Sequence, residues 1–466
     1  MTSTLDHTFA ADTPVFLVVG PEAEPLVGDL QGALTTAGAS VALAAPGKAT
    51  ETARQVAPDL VVLVAGMTSA TALAALAEVG ELAIVVVGFD DDDALRNDPF
   101  RFGAVAHLSR HRSPEELAQR IRDLRDEVAA RPRSPEGEVG ADDLEAFLTE
   151  VAASRRSGIL TLETTAPPER QARVAFGEGR AAAQLVSEAM MRVRSLTRFS
   201  KVLRFRFDEL PAGGLHFVDA ATKAPRDPEA LRLDGHRVIL GDEDGRRSHS
   251  IAAHLRSIGA TALVTDLSGR GLSRASHVDP TVVIVGEEEL RGSGYDLLRR
   301  VRSDRRLRWA ALLVVRWNAV WSHATPKRAL ARVAAGLSAV PRPEQRLAET
   351  AETADPFEAR LEAAGPARVL RALDGAGQDL RLAAVGPEGA VTLELAGGMI
   401  IAATARRRGD DGPTLEGEDA LDAWLDLTGG RLRVEPLTQP RPTSMVGPVD
   451  AALGALDSGA ASSLRP

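Results

Sequence analysis

Cysteine is absent from the 466 residues, so disulfides, thiolate ligands and thiol nucleophiles are all excluded, which suits a reducing cytoplasm. Lysine is scarce as well, and arginine supplies nearly all of the 55 basic residues. Of two arginine-rich clusters, RVRSLTRFSKVLRFRF alternates as a half-buried strand does, which fits better than a nucleic-acid groove, and RRVRSDRRLRW is a basic helix end and loop that either follows residue usage or offers a partner-binding patch. A basic excess is missing too. The formal net charge of -10 stands against a nucleic-acid-binding domain, and no nucleic acid is expected as a partner. The opening stretch, MTSTLDHTFAADTP, lacks the basic-then-apolar order of a secretory signal. One uncharged run, 60–77, is long enough to raise a membrane span. Gly66, Thr68, Ser69 and Thr71 in its middle favour strand, loop and helix instead, so no membrane span is expected. No Ser-His-Asp order or phosphate loop is found, and His107 and His111 have a zinc spacing that serves only on a helix. They straddle a strand end, so no metal and no cofactor is expected.

What is present is length and repetition. A chain of this size holds about three or four domains, and 44% hydrophobic with 26% charged residues is a globular composition. From Val15 the chain alternates apolar runs with helical spacings: VFLVVG, SVALA, DLVVLVAG, LAIVVVGF and AVAHL are five strands. Ser113, Pro114 and Glu116 open a final helix with a capping box, and Leu117, Ile121, Leu124 and Val128 trace its apolar stripe. This is the pattern of a doubly wound parallel sheet, with ligand chemistry at the carboxyl ends of its strands.

After a linker, RPRSPEGEVGADD, the pattern changes. A helix face (Leu144, Phe147, Leu148, Val151) leads into SGILTLE, and RVAFGEGRAAAQ carries a hairpin-type turn at Gly177-Glu178-Gly179. Leu203, Phe205 and Phe207 then alternate with Arg204, Arg206 and Asp208 in a strand with one wet face. The second half repeats this order at a period of roughly 220 residues. RVILGDEDG, TALVTD, VVIV, ALLVV and the stretch near Ser338 are its five strands. Beyond a polar linker, EQRLAETAETADP, come LRLA and VTLELAGGMIIAA, where Ala396-Gly397-Gly398 stands as the earlier glycine turn did, then LDAWLDL and RLRVEP. The expected units are 1–130, 138–234, 235–345 and 355–438, with a disordered tail over 439–466 holding at most a short helix around Asp450 to Leu456.

The segment PTVVIVGEEELRGSGYDLLRRVRSD, Pro280 to Asp304, resembles the centre of a CheY-like receiver domain of two-component signalling. Pro280 and Gly294 fall on that family's frame and place Gly286 at the phosphoacceptor aspartate. The resemblance implies that Asp242 and Glu243 are the paired acids, that Arg316 replaces the hydroxyl residue of strand four, and that Arg342 replaces the lysine of strand five. On the same frame the first unit has Val19 and Gly20 at the acid pair, Val64 at the acceptor, Val87 at the hydroxyl and Arg110 at the lysine. Mg²⁺ needs oxygen ligands, which such an apolar pocket does not offer. Both units resemble pseudo-receivers, and the units that follow them resemble the PATAN domain of bacterial signalling and motility regulators. The implied architecture is two CheY-like doubly wound parallel five-stranded sheets alternating with two small α+β units.

These resemblances imply a non-catalytic cytoplasmic scaffold with protein partners among signalling or motility components. The alternatives are a response regulator with residual phosphoacceptor activity and a nucleic-acid-binding regulator. Glu287, just beyond Gly286, is expected to point away from the pocket, because successive strand residues face opposite sides. Arg316 or Arg342 is expected to take the place of a metal ion by pairing with Asp242.

Overall fold

The structure, a computed structural model, describes residues 14–21, 23–56, 58–64, 83–88, 104–130, 136–153, 157–165, 167–210, 214–225, 231–242, 244–292, 296–321, 324–353, 355–407, 413–438 and 444–460. Glu243, Gly294 and Tyr295 lie outside them, as does 65–77 of the uncharged run. No helix among the described residues is long and apolar enough to cross a membrane.

The first unit forms the expected sheet. β1 (Val15–Val19), β2 (Ser40–Ala44), β3 (Leu60–Val64), β4 (Ile84–Gly88) and β5 (Ala104–Ser109) are parallel in the order β2-β1-β3-β4-β5. That order is one of the two common doubly wound arrangements, shared by flavodoxin and CheY. β3 and β4 are buried along their whole length, as expected for central strands covered on both faces. The last helix, Pro114–Ala130, is capped as its sequence implies, Ser113 Oγ accepting from the Glu116 N–H at 3.2 Å.

The second unit is a four-stranded antiparallel sheet. It comprises β6 (Glu136–Gly140), β7 (Gly158–Thr164), β8 (Gln171–Phe176) and β9 (Val202–Glu209), in the order β6-β9-β7-β8. The RPRSPEGEVGADD stretch is thus more than a linker, since its second half is β6. Helices Leu144–Ala153 and Ala182–Val193 bury Leu148, Val151, Leu185 and Ala189 against Phe176 and Phe207 of the sheet.

The second parallel sheet departs from expectation at its fifth strand. β10 (Leu215–Val218), β11 (Arg237–Gly241), β12 (Thr261–Val264), β13 (Val282–Gly286) and β14 (Ala311–Val315) take the order β10-β14-β13-β11-β12. The place of strand five belongs to β10, parallel to β14, which comes from before the first strand of the sheet rather than after the fourth. The stretch near Ser338 is the end of a helix, Pro326–Ser338, with Thr325 as its N-cap and proline at the first turn. Ala329, Val333 and Leu337 recur on one buried face of it, and only Ala339 and Val340 are left beyond for a strand.

Leu215 and Phe217 face the same side as Leu312 and Val314, so one continuous core runs from Phe176 and Phe207 of the second unit to Val283 and Val314 of the third. The boundary expected at 234/235 therefore falls inside one folded body. Two devices seat β10. Arg302 donates to the carbonyls of Ala310 (3.0 Å) and Gly214 (3.3 Å), tying the starts of β14 and β10 together. Glu178, between two glycines, exchanges backbone bonds with Leu215 and Phe217 at 2.9 Å each. A Cβ on Gly177 would lie 3.0 Å from Leu215 Cβ, and Gly179 sits at φ +92°. The Gly177-Glu178-Gly179 triplet is accordingly a close-approach bridge to β10 and not a hairpin turn.

The fourth unit pairs β15 (Phe357–Arg360), β16 (Leu380–Val385), β17 (Gly389–Ala396), β18 (Met399–Arg407), β19 (Leu415–Glu416) and β20 (Arg431–Pro436) in the order β15-β20-β16-β17-β18-β19, with β21 (Gly447–Pro448) also on β18. Its β15-β20-β16-β17 repeats the β6-β9-β7-β8 arrangement, so the strands before the two glycine triplets hold the same place. Here Gly397 (φ +56°) and Gly398 (φ +77°) do close a hairpin. Residues 444–460 are ordered as β21 and a helix, Val449–Ala460, with Val449 and Leu453 buried in the core of the unit. That corrects the disordered tail over 444–460, whose apolar Val449 and Leu453 were obscured by the surrounding small residues; 439–443 and 461–466 lie outside the described residues. The polar linker is likewise a helix, Pro343–Ala351, with Ala351 in the same core.

Salt bridges tie this unit to the others. Asp59 of the first accepts from Arg360 (2.9 Å) and Arg431 (2.5 Å), Asp279 of the third accepts from Arg371 (2.9 Å), and Arg306 of the third, itself paired with Asp279, donates to the Leu453 carbonyl of the fourth. His236, 4% exposed, sits at the second of these joints near Arg342, Glu344 and Arg368. Burial first, and the Arg342 charge second, lower its pKa to about 4. The neutral ring is therefore favoured in the fold, and its contribution is complete above pH 6.5, the ordinary histidine value, and lost as pH falls toward 4. The expected loss is about 3 kcal/mol over that interval. Urea denaturation of His236→Leu should show a correspondingly shallower fall in stability between those pH values; an unchanged slope would contradict the assignment.

Candidate functional site

In a parallel sheet of this order, chemistry belongs at the carboxyl ends of the strands. Asp242 follows β11, Gly286 ends β13 and Arg316 follows β14, so these three converge there. Arg342 does not. It stands at the start of the helix Pro343–Ala351 and donates to the Asp234 carbonyl, at the amino-terminal end of the sheet. Its displacement follows directly from the helix that replaces the expected fifth strand.

The side chain of Asp242 is 0% exposed and is held by two bonds from Arg247, Nη2 to Oδ1 at 2.5 Å and Nε to Oδ2. A guanidinium does take up the acid, but it comes from the next helix, not from Arg316 or Arg342. Asp244 caps that helix, accepting from the Arg246 and Arg247 N–H groups, and so sets Arg247 on the first turn facing back toward Asp242. The hydrogen bond to Asp242 raises the pKa of Arg247, and its guanidinium lies 4.8 Å from the Trp317 ring. Arg247→Ala would leave a buried carboxylate unpaired and is expected to cost about 3–5 kcal/mol, part of which Asp242→Asn should restore. A urea midpoint for Arg247→Ala equal to that of the unaltered protein would refute the pairing.

The space beside Gly286 is filled. A Cβ built on Gly286 would run into the Glu289 carboxylate and lie 2.7 Å from Trp317 Nε1. The first unit is closed in a different way. A Cβ on Gly20 would lie 2.5 Å from Val27 and 3.3 Å from Val64, and Val64 pairs in register with Val87. Arg110, just past β5, reaches Glu24 at 3.0 Å across this apolar floor. Gly20, Val64, Val87 and Arg110 thus share one strand end.

Arg316 turns away from Asp242 into a second cluster that the sequence did not reveal. Its Nε donates to Glu287 Oε2 at 2.7 Å and its Nη2 to Glu188 Oε1 at 2.8 Å. Arg180 bridges the same two acids, at 2.9 Å to Glu188 and 3.2 Å to Glu287, and Arg291 adds a further bond to Glu287. Glu287 opens the helix Glu287–Gly292, so strand alternation does not set its direction; these arginines do. Burial acts to raise its pKa, yet the Arg316 hydrogen bond and the Arg180, Arg291 and Arg316 charges outweigh that and bring it to about 2. Arg316 is raised in turn, by its bond to Glu287 first. Arg180 and Glu188 lie on and before the helix Ala182–Val193, so this network binds the second unit to the strand ends of the third. The pairs that join the two units, such as Arg316 with Glu188, are 128 positions apart, which no local spacing reveals.

No group of metal-ligating residues capable of holding an ion occurs among the described residues. No protein-family model matches the chain, and no curated protein does. Among solved structures, a response regulator protein from Burkholderia multivorans is 23% identical, with 26% of this chain and 98% of that one covered and a TM-score of 0.20. A CheY-like protein, tadZ, from Pseudomonas aeruginosa is 21% identical over 24% of this chain and 93% of its own, with a TM-score of 0.21. The pilus assembly protein CpaE from Caulobacter crescentus is 22% identical, covering 24% and 95%, with a TM-score of 0.20. The functional reading that follows rests on the geometry of this chain's own residues.

Proposed function

We propose that the chain is a non-catalytic cytoplasmic signalling protein that presents fixed docking surfaces to protein partners, its two receiver-like sheets having lost phosphoryl chemistry and its second and fourth units being PATAN-like. The observation that carries this reading is the filled acceptor position: Gly286 has the Glu289 carboxylate and the Trp317 indole where an aspartate side chain would stand. A phosphoryl acceptor needs a carboxylate open to attack, oxygen ligands for Mg²⁺ and free positive charge beside it. Asp242 is instead committed to Arg247, and Arg316 to Glu188 and Glu287. With both charges engaged, neither is available to a phosphoryl group, and the surface serves as a constant shape. Signalling and motility components are the partner class that the architecture suits.

Incubation of the full chain with Mg²⁺ and acetyl phosphate, read by intact mass, tests the reading. Both sheets are expected to leave the mass unchanged, whereas a gain of one phosphoryl group would overturn the proposal.

A further inference from the structure

The four units are not held together equally. The second and third share one core through β10, and the third meets the fourth through Arg306 and Asp279, whose side chains are 2% and 1% exposed. The first unit differs. Its two hydrophobic clusters draw only on residues 16–124 and the other three begin at Val139, so no cluster among the described residues spans its boundary. Residues 131–135 join it to the second unit, a stretch that reaches at most about 20 Å.

Side-chain bonds tie the first unit to the fourth at one carboxylate. Arg360 Nη1 donates to Asp59 Oδ1 at 2.9 Å, and Arg431 Nη2 to Oδ2 at 2.5 Å. Oδ2 also accepts from the Val15 N–H at 2.8 Å. The clasp therefore sits at the amino-terminal end of the first sheet, away from Gly20, Val64, Val87 and Arg110. Neither arginine depends on Asp59 alone. Arg360 is bonded to both oxygens of Glu362, at 2.6 and 3.2 Å, and Glu358 lies 3.9 Å from Arg431 Nε. When the first unit withdraws, each guanidinium keeps an acid and Asp59 regains water, so no buried charge is stranded. This joint accordingly opens more readily than those on either side of the third unit.

What the first unit covers is an edge. β15 is the outermost strand of the seven-stranded sheet, paired with β20, and the helix Ala49–Val56 lies against it. That helix buries Ala49 and Ala53 in the first unit's own core, so it moves with that unit. An uncovered edge strand is a template for pairing with another chain.

We infer that the first unit is a detachable cover over β15, held shut by Asp59 on Arg360 and Arg431 and kept close by its tether when open. The open form alone offers the edge of β15 to a partner strand. This goes beyond the docking reading and does not depend on it, because it concerns movement of the first unit as a body and not the chemistry of its strand ends.

The test is small-angle X-ray scattering together with amide hydrogen exchange on the full chain. Asp59→Asn keeps an oxygen for the Val15 N–H while removing the charge, and the double variant Arg360→Gln, Arg431→Gln leaves the first unit untouched. Each is expected to raise the radius of gyration above that of the unaltered chain. Each should also speed exchange of the β15 amides about ten-fold, the equivalent of one charge-assisted hydrogen bond, with β16 and β17 unchanged. A radius and a β15 exchange rate unmoved in either variant would overturn the inference. So would β15 exchange that rises only in step with β16 and β17, which marks loosening of the fourth unit instead of uncovering.

Discussion

A fragment of residues 235–341 is expected to remain unfolded, while residues 136–341 fold and melt in one transition. The first lacks β10, and with it Leu215, Phe217 and Val218, which are 0%, 3% and 0% exposed in the whole chain. Burying three such side chains contributes about 5–8 kcal/mol, close to the entire stability of an ordinary domain. Without them β14 becomes an edge strand with Leu312 and Val314 uncovered, an invitation to aggregate. Circular dichroism on both fragments decides the matter. Cooperative unfolding of 235–341 would show that β10 is dispensable. Within the whole chain, Phe217→Ala should cost about 3–5 kcal/mol, more than its place as the third residue of a four-residue strand suggests, because the ring lies in the core shared by the two units and carries Arg180.

Placing an aspartate at Gly286 should damage the fold and bring no phosphoryl uptake. Gly286→Asp places a carboxylate against Glu289 and Trp317 and beside Asp242, which is already buried. Overpacking and a second buried carboxylate, this one unpaired, together are expected to destabilise by about 3–5 kcal/mol. Glu289→Ala in that background removes the clash with Glu289 and one like charge, leaving that with Trp317, and about 1–2 kcal/mol should return. Urea midpoints of the two variants measure both terms. If Gly286→Asp proved as stable as the unaltered chain, the acceptor position would be vacant space and not a filled one.

Sequence reading served best where one local pattern decides structure. Val282 to Val285 is an unbroken β-branched run, and β13 is buried along its full length as such a run requires. Ser113 and Glu116 announce a helix start by their spacing alone. β10 escaped because four apolar-leaning residues carry no period, and because its partner β14 is about 100 positions away. The Gly177 triplet was misread since glycine serves a tight turn and a close backbone approach equally well, and only β10 distinguishes the two. At the strand ends the demand for a guanidinium on Asp242 was legible from charge repulsion, but its source was not. A hint existed: Arg247 stands in the first turn of its helix, where the helix dipole disfavours a cation, so a strong acidic neighbour had to be near. The Arg180–Glu188–Glu287–Arg316 network left no trace at all, because it is assembled from three distant segments by tertiary packing.

Amide hydrogen exchange across the full chain tests most directly whether the second and third units are one body with a shut strand end. The amides of β10, β13 and β14 and of the helix Ala182–Val193 are expected to open together, with one common free energy that Mg²⁺ and beryllofluoride leave unchanged. Separate exchange of β10 and the helix ahead of β13 and β14, or protection of β13 gained on adding Mg²⁺ and beryllofluoride, would contradict it.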